Sequence, residues 1–401
     1  MTRGPDEKGG GACLGNTTEF ERLRRKRRRA RNLRRLALTA VLLTVAAVGV
    51  VAADKVYRWD IGTRLSNLMS SLRPGGGFPV VVDDLDVLQL LPIGKDVAVV
   101  SGSGTYIYNS KGARLAIWPN SYNEPISKSG GGKLLTYDLG GTRLRVDSKS
   151  EQVASLETEG RIFAADIAEN GGLVVASGTR GHLVKVTAYD PRCAEMYAWY
   201  TSACYIHDVA MSRDGEKFAV AGLNAGGGRL TAQLRVHHTA LDEAEAEVAA
   251  VQFPDEMILS LRWTAEDNIQ VITDRALYVF DKYGVQKARV EAPGDMVTFD
   301  NCASGGFYIA YGDYREERGT QVLAYGPGLE FLGSTSVDRK ILSIQYVSNG
   351  HLLLLTEGKL YLADRTLSEV KERKADDLYF VCGVGSSIYG ITPDGLIRTG
   401  L

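Results

Sequence analysis

The chain has 401 residues, 44% apolar and 24% charged, which excludes wholesale disorder and is too long for one small core. Its formal net charge of −1 hides a division: residues 1–35 carry 12 Lys/Arg against 4 Asp/Glu (+8), and the remainder 35 against 44 (−9). A basic head on an acidic body is suited to two environments rather than one.

The first twenty residues are Gly-rich and polar, a composition that cannot bury a core and predicts disorder. Arg22 to Arg35 then reads RLRRKRRRARNLRR, with ten cations. Leu36 to Ala53 follows as LALTAVLLTVAAVGVVAA, eighteen residues without a charge. That length crosses about 30 Å of hydrocarbon as a helix. The cations ending in Arg34 and Arg35 fix the upstream side in the cytoplasm, Leu36, Leu43 and Val51 mark the span, and Tyr57 and Trp59 fall where aromatic belts sit. A basic segment of about 35 residues is longer than a cleaved signal peptide carries, so the expectation is an uncleaved signal anchor. Beside a span, the arginine run is a topology determinant that touches the anionic inner leaflet, at roughly 1 kcal/mol per cation; nucleic-acid binding is not expected.

Tyr57, Ile61, Leu65, Leu68 and Leu72 recur at helical intervals, and Arg73-Pro74-Gly75-Gly76-Gly77 ends the pattern. The spacing predicts a short amphipathic helix lying on the outer leaflet or against the base of the next domain; two heptads do not sustain a coiled coil.

From Phe78 the chain consists of short apolar runs separated by Gly, Asn and Asp turns. The unit is an alternating strand, a polar turn, a strongly apolar strand, a second turn, and a strand ending in an aromatic before Asp or Asn, as in Tyr106-Ile107-Tyr108-Asn109 and Tyr278-Val279-Phe280-Asp281. Central turns near 95, 131, 171, 215, 267, 305, 350 and 385 are 35 to 52 residues apart, the period of a four-stranded propeller blade. The fold class is therefore all-β: a β-propeller of eight, alternatively seven, four-stranded blades, preceded by one transmembrane helix. The last repeat stops after its third strand, and Phe78-Pro79-Val80-Val81-Val82 is an orphan strand able to close the ring. The domain plan is a basic cytoplasmic head (1–35), a span (36–53), a juxtamembrane helix and Gly-rich linker (54–77) and an extracytoplasmic propeller (78–401). The acids Asp242, Glu243, Glu245 and Glu247 alternate with apolar residues and are expected to protect a sheet edge.

Of five cysteines, Cys13 precedes the span. Cys193 and Cys204 flank a strand-like segment that would hold them apart, although a loop could still join them; Cys302 and Cys382 sit in apolar runs as buried thiols. The five histidines give no metal set. His237 and His238 are adjacent, so in a strand they face opposite sides, and His182, His207 and His351 fall in separate repeats. Asp86, His207, Asp208 and Asp295 lie at the starts of repeats and are candidates for the channel mouth; a blade-structuring His207–Asp208 hydrogen bond is the simpler role for that pair. Gly102-Ser103-Gly104 and Gly130-Gly131-Gly132-Lys133 resemble phosphate loops but precede no helix. No catalytic residue, metal site or cofactor is predicted.

The basic head, single span, Gly-terminated stalk, FPVVV strand and repeats such as LLTYDLGGTRLRVD and DVAMSRDGEKFAVAG resemble an uncharacterised membrane-anchored β-propeller family of Firmicutes, similar in general shape to WD40-like and PQQ-like propellers. The resemblance implies the fold and membrane location, and no activity. The expected function is a membrane-tethered extracytoplasmic scaffold that binds an envelope protein or cell-wall ligand without catalysis. The alternative is a propeller enzyme or cofactor protein, hydrolase-like with a metal or quinoprotein-like, using the central channel.

Overall fold

The computed structural model describes Thr39, Thr44, Ser66, Asn67, residues 69–83 and residues 86–400 apart from 242, 303, 313–318 and 348. The basic run with Arg34 and Arg35, the apolar segment with Leu36, Leu43 and Val51, and Tyr57 and Trp59 lie outside the described residues. Among those described, no helix is long and apolar enough to cross a membrane. The chain divides into two units, residues 1–57 and 58–401, and the described strands all belong to the second.

Strands of five to eight residues form eight antiparallel sheets, seven four-stranded and the last three-stranded. Blades 1 to 8 occupy 87–119, 125–157, 162–201, 205–254, 258–291, 296–337, 341–375 and 380–400. Their innermost strands are Val87–Ile93, Pro125–Gly130, Ile162–Ile167, Tyr205–Met211, Ile258–Trp263, Met296–Asn301, Ile341–Val347 and Phe380–Val384. The second strand of each blade is almost wholly buried, as in Asp96–Ser101 and Leu173–Ser177, where every residue is buried. Fourth strands such as Arg114–Pro119 alternate between half-buried and exposed. A sheet covered on both faces requires that contrast. Accordingly the core divides into eight apolar clusters, one between each pair of neighbouring blades, including blade 8 with blade 1.

The turns account for the period. Every turn from first to second strand contains a residue of positive φ: Gly94, Gly131, Gly171, Gly215, Asp267, Gly305, Gly350 and Gly385. These are the central turns that the sequence marks. The aromatic-Asx ending of third strands also has a cause. Asn109, Asp190 and Asp281 each accept two backbone N–H groups through one side-chain oxygen, from the residues two and four ahead. This shapes the turn to the fourth strand. Cys193 occupies the left-handed position of such a turn (φ 65°), where blades 1 and 5 place Gly112 and Gly284. Cys193, Cys204, Cys302 and Cys382 are buried, and the strand Glu195–Thr201 separates the first two.

Ring closure follows the expected route in reduced form. Residues 78–82 approach the last strand, Gly395–Gly400, but pair only at Val80 and Leu396, with Val80 N–O Leu396 at 2.9 Å and the reverse bond at 2.8 Å. The acidic run departs from expectation. Glu243–Ala246 is a helical turn, and only Glu247 belongs to the strand after it. The alternation there is thus not an edge-strand pattern.

Of the stalk stripe, Tyr57, Ile61, Leu65 and Leu68 lie outside the described residues. Residues 66–72 end in a helical turn that docks through polar side chains. Asn67 donates from Nδ2 to Gly132 O (2.8 Å) and accepts at Oδ1 from Lys149 N (3.1 Å). Ser71 donates to the Asp96 carboxylate, which also binds Lys149 Nζ at 2.7 Å. Asn109 Nδ2 holds Arg73 O at 2.7 Å. Leu72, from the stripe, is 66% exposed, and Met69 is 69% exposed. These hydrogen bonds hold the described part of the segment on blades 1 and 2. It lies on the face made by the first-to-second and third-to-fourth strand turns.

Candidate functional site: the central channel and its mouths

The innermost strands bring their polar side chains together along the channel, and most reach the next blade. Gln89 Oε1 accepts from Ser127 N (2.7 Å), Asp166 Oδ2 from Met211 N (2.9 Å) and Asp208 Oδ2 from Leu261 N (2.9 Å). Asp300 Oδ2 accepts from Tyr346 N (2.7 Å) and Gln345 Oε1 from Gly383 N (2.9 Å). Asn301 donates back to Ser260 Oγ at 3.3 Å. Apart from that last bond, each satisfies a backbone N–H on one strand with a side chain from the strand before it, so the series works as a hoop around the channel.

Lys128 stands within this hoop, 3.6 Å from Asp166 and 3.8 Å from Asp208. About a third of its side chain (34%) meets channel water. Enclosure by protein opposes its charge, but the two aspartates outweigh that, and the Lys128 pKa lies above the ordinary lysine value. Enclosure raises the Asp208 pKa against the pull of Lys128, and raises that of Asp300 against the pull of Arg262. The channel therefore holds a mixed set of charges whose aspartates are already engaged with backbone.

Of the channel-mouth candidates, Asp208 lies in this hoop. His207 sits at a bulge in its strand and its Nε2 lies 2.8 Å from Ile258 O, so His207 and Asp208 each reach blade 5 instead of bonding each other. Asp86 and Asp295 are exposed residues just before the innermost strands of blades 1 and 6. The four do not converge, and among the described residues no three His, Cys, Asp or Glu side chains form a metal-binding group. Gly130–Lys133 is a hairpin turn, with Lys133 Nζ donating to Pro191 O at 2.6 Å.

Sequence reasoning missed a set of exposed apolar residues at one mouth. Bulges recur one residue into the innermost strands of blades 1, 3, 5, 6 and 7, and two residues into that of blade 4. In three of these the displaced residue is a leucine: Leu88, Leu259 and Leu342. With Tyr205, Met257 and Tyr379 at the entries to blades 4, 5 and 8, these residues are between 37% and 62% exposed. They form two arcs, one on blades 7, 8 and 1 and the other on blades 4 and 5. Met257 and Asp274 exchange hydrogen bonds (2.8 and 3.0 Å), which places them on the face made by the second-to-third strand turns, opposite the docked segment 66–72. The available signal was the repeated apolar-Leu-polar triplet at strand starts (Val87-Leu88-Gln89, Ile258-Leu259-Ser260, Ile341-Leu342-Ser343), which breaks the strand alternation.

Residues 82–378 match the family of unknown function DUF5711, and the chain belongs to that family. None of the curated proteins matches it. Among solved structures it is similar to the C-terminal WD40 domain of Sif2 (10% identity, 81% of this chain and 99% of that one, TM-score 0.57). It is also similar to Chaetomium thermophilum Sqt1 bound to the N-terminus of the ribosomal protein L10 (11%, 80% and 98%, TM-score 0.55). A eukaryotic initiation factor gives 14% identity over 79% of this chain and 83% of that one, with a TM-score of 0.52. These similarities show a WD40-like propeller fold.

Proposed function

We propose that the chain is a membrane-tethered, extracytoplasmic docking platform without catalytic activity, binding an envelope protein through the exposed apolar arcs at the channel mouth. The observation that carries this reading is the placement of Leu88, Leu259 and Leu342 on bulges that turn them out of the core, on the face opposite the docked segment. Isolated exposed leucines need no explanation, but the same strand position used in three blades around one opening does. The Arg22–Arg35 run and the uncharged segment 36–53 support the tether and its orientation. Exposed Met69 and Leu72, beside a segment whose polar groups face the propeller, are suited to contact with a lipid surface. Sqt1, a propeller of the same architecture, was solved with a bound protein N-terminus, so the fold serves peptide binding elsewhere.

The test is photo-crosslinking in intact cells with a photoreactive residue at position 205 or 342, against position 285 in a third-to-fourth strand turn. Adducts to one protein from 205 and 342, lost in Leu259→Asp, would support the platform. Adducts no stronger than those from 285 would refute it.

A further inference from the structure

The ring closes where blade 8 lacks a fourth strand, so Gly395–Gly400 is its outermost strand. Val80 and Leu396 exchange both backbone hydrogen bonds, so by antiparallel alternation the next outward-facing backbone groups are those of Arg398. The incoming chain does not reach them. The rung opposite Arg398 would fall to Phe78, and just before it Gly77 N donates to Lys111 O at 2.9 Å, drawing the chain toward blade 1. Between the diverted chain and the strand edge lies a cavity of about 880 Å³.

The chemistry of this cavity differs from that of the surrounding domain. Its lining holds two cations, Lys111 and Arg398, the hydroxyls of Ser110, Ser386, Ser387 and Thr399 and, among the described residues, no carboxylate. Yet residues 36–401 carry 35 Lys/Arg against 44 Asp/Glu. Arg398 is held in place by neutral acceptors, Ser387 Oγ (2.8 and 3.0 Å) and Ser110 O (2.9 Å), so its hydrogen bonds fix the guanidinium without cancelling its charge. Native sheets cover or charge their edges because an open edge recruits another strand. Among the described residues the Arg398 rung of this edge is left unfilled, while Gly400 O accepts from Arg373 Nη1 at 2.8 Å, and the recess beside it is positive.

We propose that this cavity is a strand-addition site for an extended acidic peptide segment of a partner protein. The peptide pairs with the backbone of Arg398 and sets its carboxylates against Lys111 and the surrounding hydroxyls. The site lies on the face opposite the apolar arcs and does not rest on their being a docking surface.

The probe is a fluorescein-labelled Glu-Val-Glu-Val-Glu-Val peptide, titrated with the purified full-length chain by fluorescence anisotropy. Two controls accompany it: the same peptide N-methylated at alternate amides, and inorganic polyphosphate as competitor. Strand addition predicts saturable binding, weakened at least tenfold by N-methylation and at least tenfold by Lys111→Glu. Lys111 is exposed, and circular dichroism confirms that the variant is folded. Absence of saturable binding overturns the proposal. So does equal binding of the N-methylated peptide together with full displacement by polyphosphate, which would identify a general polyanion site. The crosslinking result at positions 205 and 342 is independent of either outcome.

Discussion

Ser71 of the docked segment shares the Asp96 carboxylate with a buried ion pair of the propeller, and removing one partner of that pair tests the contact. Asp96 and Lys149 have side chains only 1% and 5% exposed, and their 2.7 Å bond joins the second strand of blade 1 to a turn of blade 2. The Asp96 carboxylate is compensated through Oδ2 alone, by Lys149 Nζ and the Ser71 hydroxyl; Oδ1 has no partner among the described residues. Lys149→Met leaves a buried carboxylate facing one neutral donor, a change that costs about 3–5 kcal/mol. Replacing both partners, Asp96→Leu with Lys149→Met, removes the stranded charge. It then forfeits little beyond the acceptor of Ser71, about 1 kcal/mol. Urea denaturation monitored by tryptophan fluorescence measures the global effect. Hydrogen exchange at the amides of Ser71 and Arg73, which bond to Asn67 O and Ser70 O, measures release of the segment. Exchange should accelerate in the single variant and recover partly in the double one. A single variant within about 1 kcal/mol of wild type, or a double variant as unstable as the sum of the singles, would refute the reasoning, because a buried pair must show coupling.

Equally local features set the remaining expectations. His237 is buried against Phe218, Trp199 and Tyr197, and burial, helped by Arg235, lowers its pKa to about 4. The unfolded chain, protonating near 6.5, then binds more protons between about pH 6.5 and 4. Stability must therefore fall by about 3 kcal/mol as pH drops through that window, and denaturation midpoints of His237→Phe should lose this slope. Gly215 has φ +74°, and a Cβ there would sit 2.5 Å from Asn170 Nδ2; Gly215→Ala should lower stability by about 1–2 kcal/mol in the same denaturation assay. Leu342→Asp, at an exposed site, should leave stability within about 0.5 kcal/mol while abolishing crosslinks from position 205. Because the four described cysteines are buried, Val285→Cys should be labelled on intact cells by a membrane-impermeant maleimide, and Cys13 should not; the reverse pattern would contradict the proposed orientation.

The blades are legible in the sequence because their turns depend on residue type. Seven of the eight first-to-second strand turns place glycine at positive φ and the eighth places Asp267 there, so composition marks each repeat even where strand patterns are weak. The orphan strand at residues 78–82 is legible for a similar reason, as an apolar run left over when repeats are counted. Pairing that crosses between blades is not. Gln89, Asp166, Asp208, Asp300 and Gln345 look like ordinary polar residues of alternating strands, because the N–H groups they satisfy belong to the next blade, some 40 residues ahead in the chain. The bulges are hidden too: one extra residue shifts which side chains face outward, and an apolar pair before a polar residue reads as core until the register is known. At the stalk, the helical spacing of Leu72 is plain in the sequence but its direction is not, since the docking contacts come from Asn67 and Ser71.

The hoop of channel hydrogen bonds bears on where function resides. A propeller built from eight weakly similar repeats must hold its innermost strands in register, and these strands have backbone groups that no strand within their own blade satisfies. The carboxylates and carboxamides of the channel answer that need. Asp166 and Asp208 face Lys128 with their other carboxylate oxygens, that of Asp208 also accepting from Val209 N. A ligand entering at this level would have to displace bonds that join neighbouring blades, whereas a ligand at either face displaces only water. The channel is then a structural axis, and in the proposed reading recognition falls to the two faces: apolar on the side away from the docked segment, positive at the closure. Asp166→Ala and Asp300→Ala should therefore register in urea midpoints, each by about 1–3 kcal/mol for a stranded buried N–H, and leave both binding assays unchanged at temperatures where the variants remain folded. Loss of crosslinking from position 205 in a folded Asp300→Ala chain would instead place the partner in the channel.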